Sequence, residues 1–345
     1  MVFILVILIA VLFYNIKVTG EGEYHTDYSA PKQTATINGI FTLLIFFSHA
    51  SQYIKLDGYL DDPYLAFRKY IGQLVVASFL FFSGFGMMES INKKGNNYVK
   101  SIPTKRFFKV WYHFAVALLI YLVVAIIFKR NYPIQNILLS FTGFKSIGNS
   151  NWYMFVTFAM YVIIYIAFMI GRKHKAIGLT LVFALTIAFV IFEKKIGLEQ
   201  RYYNTIFCLP FGMLFSVIKP YFDKIVMKND LFYFISTGAI FLAYYIFEHY
   251  RAKSIIIHNI FAILAVILIM MITMKVKIGN AILDFFGNHI FSFFILQRIP
   301  MIILDEMNFS RHKYAFIIVS FVATLCLTII FDKLMEKTDK LIYKR

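Results

Sequence analysis

The residue in this sequence best suited to chemistry is a histidine inside an apolar run. His49 closes the stretch Leu44-Ile45-Phe46-Phe47-Ser48-His49, part of a segment from Asn38 onward that is long enough to sit in a bilayer. Ionisable groups are costly within membrane helices, and those that persist mark functional sites by default. At about 100° per residue, Asn38, Thr42, His49 and Tyr53 fall within roughly 40° of one line, with Gln52 beside them. A polar stripe of this kind faces a protein interior or a water-filled cleft. An imidazole of ordinary pKa, about 6.5, can take a proton from an attacking hydroxyl or carry an acyl group itself. The structural alternative is a core histidine satisfied by a neighbouring hydroxyl.

Three further groups can serve a site. In Ser101-Ile102-Pro103-Thr104-Lys105-Arg106-Phe107-Phe108-Lys109, Pro103 suits a helix start, and Arg106 and Lys109 share a face at i, i+3 with His113 one turn deeper. Paired cations at a bundle mouth can hold a phosphate-bearing ligand, although an anchor on a basic membrane face reads the same way. Ser83, Gly84 and Gly86 form a small-residue notch for close helix packing, with Ser83 also a candidate for lining a ligand path. Trp152 and Tyr153 follow the polar Gly148-Asn149-Ser150-Asn151 and can anchor at the interface or line a site. No metal-ligand spacing, Walker-type loop or G-x-S-x-G context is present. Cys208 and Cys326 read as packing residues, and Asp61-Asp62 as a solvated loop.

These residues need a scaffold, and the composition names it. The chain is 60% hydrophobic and 15% charged, with 40 Phe and 23 Tyr in 345 residues; its mean hydropathy is +0.71. That excludes an ordinary soluble domain. It fits an all-α polytopic membrane protein, a bundle of 10–11 transmembrane helices. Candidate spans cover about 1–19, 37–56, 71–91, 107–128, 151–170, 176–193, 202–218, 231–248, 255–274, 286–304 and 314–332. The first lacks a basic n-region and a cleavage site, so it reads as a retained helix. Alternate connections differ in Lys and Arg content. The richer side includes Lys93, Lys94, Lys100, Lys105, Arg106 and Lys109, and the tail with Lys333, Lys337, Lys340, Lys344 and Arg345. That side should be cytoplasmic, with the N-terminus outside and the C-terminus inside. His49 then lies about 18 Å along a helix entered near Ile37, close to mid-membrane. The net charge of +17 points to anionic membrane lipid and not to nucleic acid.

In order, Leu44-Ile45-Phe46-Phe47-Ser48-His49, Phe81-Phe82-Ser83-Gly84-Phe85, Arg106-Phe107-Phe108-Lys109, Asn151-Trp152-Tyr153 and Leu283-Asp284-Phe285-Phe286-Gly287-Asn288-His289 resemble the acyltransferase-3 family of integral membrane acyltransferases. The likeness implies an extra N-terminal helix and short loop over 1–35 and a family domain over 36–345. It implies transfer of an acyl group, commonly acetyl from acetyl-CoA, to hydroxyls of surface or lipid-linked glycans at the cell membrane, with no permanently bound cofactor. On that resemblance His49 matches the essential histidine, Arg106 and Lys109 a basic pair on the CoA side, and Trp152 a tryptophan of the transfer region. Asn38, Ser83 and Tyr153 join Trp152 as candidate substrate contacts. The chain departs from the family pattern at Asn38, where a basic residue is usual, and at Thr157, where a glutamate is usual. A transporter or flippase of a glycan or lipid intermediate is the alternative function, and a pH-sensing membrane scaffold a third.

Overall fold

The computed structural model describes residues 1–343; Lys344 and Arg345 of the basic tail lie outside the described residues. A helix occupies each of the eleven expected spans. In chain order the helices are α1 (Val2–Phe13), α2 (Pro31–Ala50), α3 (Asp62–Ile71), α4 (Leu74–Lys94), α5 (Asn96–Ile102), α6 (Lys109–Ile127), α7 (Ile134–Ser140) and α8 (Trp152–Ile170). There follow α9 (Lys175–Lys195), α10 (Cys208–Val226), α11 (Asp230–Tyr250), α12 (Ile255–Lys275), α13 (Ala281–Asn288), α14 (Ile290–Leu296), α15 (Arg298–Glu306) and α16 (Lys313–Ile342). Seven continuous helical stretches are long and apolar enough to cross a membrane, and the stretch 281–306, bent by 73°, makes an eighth. Of the other expected spans, α1 has only 12 residues, and α2 and α10 carry more polar side chains.

Several boundaries moved for local reasons. Asn15, at φ 62, stops α1 well before residue 19, and Lys17–Val18 (β1) then pairs antiparallel with Val276–Lys277 (β2). Pro31 opens α2 six residues earlier than expected, its fixed φ suiting a first turn. His49 therefore falls in the last turn of α2, about 27 Å from its start, and not part-way along a helix beginning at Ile37. Pro103 cannot donate to the i−4 carbonyl. The chain accommodates it by a π-helical turn, Pro103–Phe108, which joins α5 to α6 without ending the helix.

Glycines set the closest helix contacts. A Cβ on Gly84 would lie 1.9 Å from the Leu209 carbonyl oxygen, and one on Gly212 would lie 2.0 Å from that of Phe81. So α4 and α10 each press a backbone into the other's glycine. The same reciprocal arrangement joins α2 to α13: a Cβ on Gly39 would lie 2.2 Å from Leu283 O, and one on Gly287 would lie 2.1 Å from Ala35 O. Small residues permit this approach, which gains dispersion contact where lipid offers no hydrophobic drive. A Cβ on Gly86, expected in the same notch as Gly84, would meet nothing within 4 Å.

Connections gather at two ends of the bundle. At one end Arg130 pairs with Glu306 and Arg251 donates to the Tyr70 carbonyl. At the other, β1 meets β2, Tyr24 donates to Asp230, and Lys109 pairs with Asp339. Asp61, expected in solvent, is instead 1% exposed at the first end, bound by the Met1 amine and by Lys313. Burial alone would raise its carboxyl, but the Lys313 and Met1 contacts override that and hold its pKa at about 2. Unfolded it would titrate near 4. The stabilisation, about 2 kcal/mol, is complete above that pH and is lost as pH falls through about 2. Asp61→Asn should therefore lower the melting temperature in detergent at pH 7 and flatten its pH dependence between about 4 and 2. An unchanged melting curve would count against the contact.

Candidate active site

His49 opens onto a polar cavity of about 460 Å³ at the first end. Its walls come from α2 (Ser48, His49), the segment after it (Gln52, Tyr53), the start of α4, the 146–152 segment and the α14–α15 junction (Phe294, Arg298). The 146–151 segment is held by its own asparagines. Asn149 Oδ1 accepts from Ile147 N at 3.1 Å, and Asn151 Nδ2 donates to the Gly143 carbonyl and the Tyr202 hydroxyl at 3.0 and 3.1 Å. Gly148 is needed there: its φ is +107, and a Cβ would meet Ile302 at 2.8 Å.

His49 Nδ1 is buried with no hydrogen-bond partner among the described residues. Beside the ring lies Gln297, 0% exposed, whose Nε2 donates to Phe294 O at 2.9 Å and whose Oε1 is likewise buried and unpartnered. An Nδ1–H turned towards that oxygen would satisfy both atoms and leave the Nε2 lone pair for the cavity. Arg298 spans the floor: Nε donates to Ser150 Oγ at 3.2 Å, Nη1 to the Tyr53 hydroxyl at 3.4 Å and Nη2 to Gln52 Oε1 at 2.7 Å.

A second cavity, about 1100 Å³, lies at the opposite end, lined by Lys94, Tyr98, Lys105, Arg106, Lys109, Asp339 and Tyr343 among others. Arg106 Nε donates to the Tyr98 hydroxyl at 3.1 Å, and its terminal nitrogens have no partner among the described residues. Lys109 is engaged: its Nζ lies 2.6 Å from Asp339, which also accepts from Tyr112 and contacts His113. The inserted π turn separates the two cations, so Arg106 faces α5 while Lys109 faces α16.

The family model described as an acyltransferase domain, that of the acyltransferase-3 family, matches residues 37–333. The chain belongs to this family. No curated protein and no solved structure matches it. The protein is thus a multi-pass membrane acyltransferase, and α1 precedes the matched range.

Of the residues singled out in the acyltransferase sequence, His49 and Trp152 share the first cavity, and Arg106 and Lys109 share the second. Ser83 and Tyr153 line neither. Both fall between the two: the Tyr161 phenol lies beside Ser83 and near Arg106, Tyr153 lies near Tyr161, and the Tyr153 ring sits 5.6 Å from Phe294. Phe294 in turn lies 6.3 Å from His49. Asn38 reaches neither cavity; it is 8% exposed, eleven residues before His49, where α13 covers α2. Gln297 and Arg298 escaped the sequence reading, and Ser150 and Asn149 entered it only as a polar approach to Trp152. The signal for Arg298 was present, because an arginine within an apolar span is as unusual as His49. Among the described residues no group of three or more His, Cys, Asp and Glu side chains is arranged to hold a metal ion.

Proposed function

We propose that the acyltransferase moves an acyl group, acetyl in the first instance, from acyl-CoA to a hydroxyl of a surface or lipid-linked glycan. The observation that carries this reading is the separation of the two cavities, with Arg106 and Lys109 at one end and His49 at the other. The Lys and Arg bias favours a cytoplasmic Arg106 end in a cell-membrane protein, with the N-terminus outside. CoA phosphates would then be held by the free edge of the Arg106 guanidinium, with Lys109 joining them as it exchanges its Asp339 contact. The thioester would reach past Tyr161 and Ser83 towards Tyr153 and Phe294. At the other mouth His49 Nε2 takes the proton of the acceptor hydroxyl, whose oxygen attacks the thioester carbonyl. The C–S bond breaks and CoA leaves as the thiol, taking up a proton. In a relay variant of the same chemistry, Nε2 itself holds the acyl group between the two half-reactions.

The test is CoA thiol release and transfer of labelled acetyl by purified protein supplied with a surface-glycan extract. His49-dependent release supports the assignment, and ligand movement across vesicles without CoA consumption supports a transporter. Sidedness is checked by an impermeant thiol reagent, which should label Lys253→Cys from outside and Lys173→Cys only after permeabilisation.

Gln297 gives a separate prediction. Gln297→Leu should lower kcat about tenfold or more with KM little changed, because Nδ1–H loses its acceptor and the reactive tautomer its bias. Gln297→Glu, which keeps an accepting oxygen, should recover part of the loss. Equal kcat in all three proteins would remove Gln297 from the reaction.

A further inference from the structure

The wall of the His49 cavity is unbalanced in charge. Arg130, Arg201 and Arg298 line it, and none of its lining residues is an aspartate or glutamate. Two of these arginines are neutralised from outside the cavity, Arg130 by Glu306 and Arg201 by Glu199, each at 2.6 Å. Arg298 is not. Its three protein partners, Ser150, Tyr53 and Gln52, are neutral, and no carboxylate lies within ion-pair distance of it among the described residues. A half-buried guanidinium that lines a polar cavity and has no protein counter-ion is a ready partner for an anion. Its five N–H donors are planar, and three are used. The two that remain sit one on each terminal nitrogen, a geometry suited to a carboxylate or phosphate oxygen.

We infer that the acceptor is acidic: the sugar or polyol that presents its hydroxyl to His49 carries a nearby carboxylate or phosphate that Arg298 binds. This rests on reading the His49 cavity as the acceptor site. The anion anchors the acceptor by Arg298 while the hydroxyl points at Nε2. Neutral glycans lack the group that balances Arg298, so they bind less well. Chemistry at the hydroxyl is unchanged by the anion, which selects and orients the acceptor.

The experiment separates surface glycans by charge on an anion exchanger and offers each fraction, with labelled acetyl-CoA, to purified protein in detergent. Label should collect in the anionic fraction. Carbodiimide-activated borohydride reduction removes only carboxylates, and hydrogen fluoride cleaves phosphates; whichever treatment cuts incorporation tenfold or more identifies the anion. Arg298→Gln should raise KM for the acidic fraction at least about tenfold and abolish its preference over the neutral one, with Arg298→Lys intermediate because it lacks the planar fork. Label in the neutral fraction, or incorporation that survives both treatments, would overturn the inference. An equal fall with acidic and neutral fractions in Arg298→Gln would also overturn it, giving Arg298 a part in the chemistry and not in acceptor choice. Absence of any His49-dependent CoA release is a different failure, that of the acyltransfer reading itself.

Discussion

His49→Ala is expected to lose acyl transfer by about a thousandfold or more, within the range for removal of a general base, while the protein still inserts and purifies as a single species. The second half of that expectation follows from the side chain's surroundings. The only hydrogen bond open to the His49 side chain from the described residues is the one from Nδ1–H to Gln297, and its ring is only half-buried, with Phe294 6.3 Å away. Alanine also has the highest helix propensity of any residue. A loss of activity therefore cannot be ascribed to collapse if size-exclusion profile and melting temperature stay near wild type. His49→Gln, which is polar but cannot take the proton, should be as inactive as alanine. Acetyl incorporation at wild-type rates in either variant would end the assignment of His49.

Gly84→Val should be the most damaging single change to the fold. Its Cβ would overlap the Leu209 carbonyl oxygen, backbone that no rotamer change can move, so α4 and α10 must separate along their whole contact. Overpacking of a core typically costs about 1–3 kcal/mol, and separating two helices locked by reciprocal glycines should reach the upper end or exceed it. Gly212→Val attacks the same lock from the other side and should behave alike. The internal control is Gly86→Ala, two residues from Gly84, where nothing lies within 4 Å of the added methyl; it should match wild type. The readout is the yield of monodisperse protein and its melting temperature. Gly84→Val with the stability of Gly86→Ala would show that the lock contributes little.

Much of the architecture was legible because membrane insertion is governed by local quantities. Apolar length marked a helix at each expected span, of which seven, or eight with the bent stretch, are long and apolar enough to cross, and the two alternating sets of connections gather at opposite ends. Helix ends were less legible where one residue decided them, as Asn15, Pro31 and Pro103 did. The solvated reading of Asp61 failed because its partners are Met1 and Lys313, at the far ends of the chain. The site was half visible. His49 stood out as an ionisable group in an apolar run, and Trp152 by its polar approach. Asn38 was drawn in by a helical wheel, which aligns residues on one face but ignores the roughly 16 Å of rise between Asn38 and His49. Lys109 was legible as half of a cation pair with Arg106, but its ion pair was not, because Asp339 lies 230 positions away in the sequence. Arg298 reads as a stray charge until Gln52, Tyr53 and Ser150 are folded onto it.

The placement of α1 bears on how the chain is assembled. Met1 and Ile4 pack with Leu43, Phe46, Phe286 and Phe316, against the apolar side of the helix that carries His49. Lys17 pairs with Lys277. Among the described helices α1 is thus the first to be synthesised, yet several of its partners emerge from the ribosome some 260 or more residues later. At about 5–20 residues per second it must wait in the lipid for tens of seconds before those partners exist. The contacts of α1 with α13 and α16 are then among the last the chain can make, long after those with Asp61 and α3 have become available.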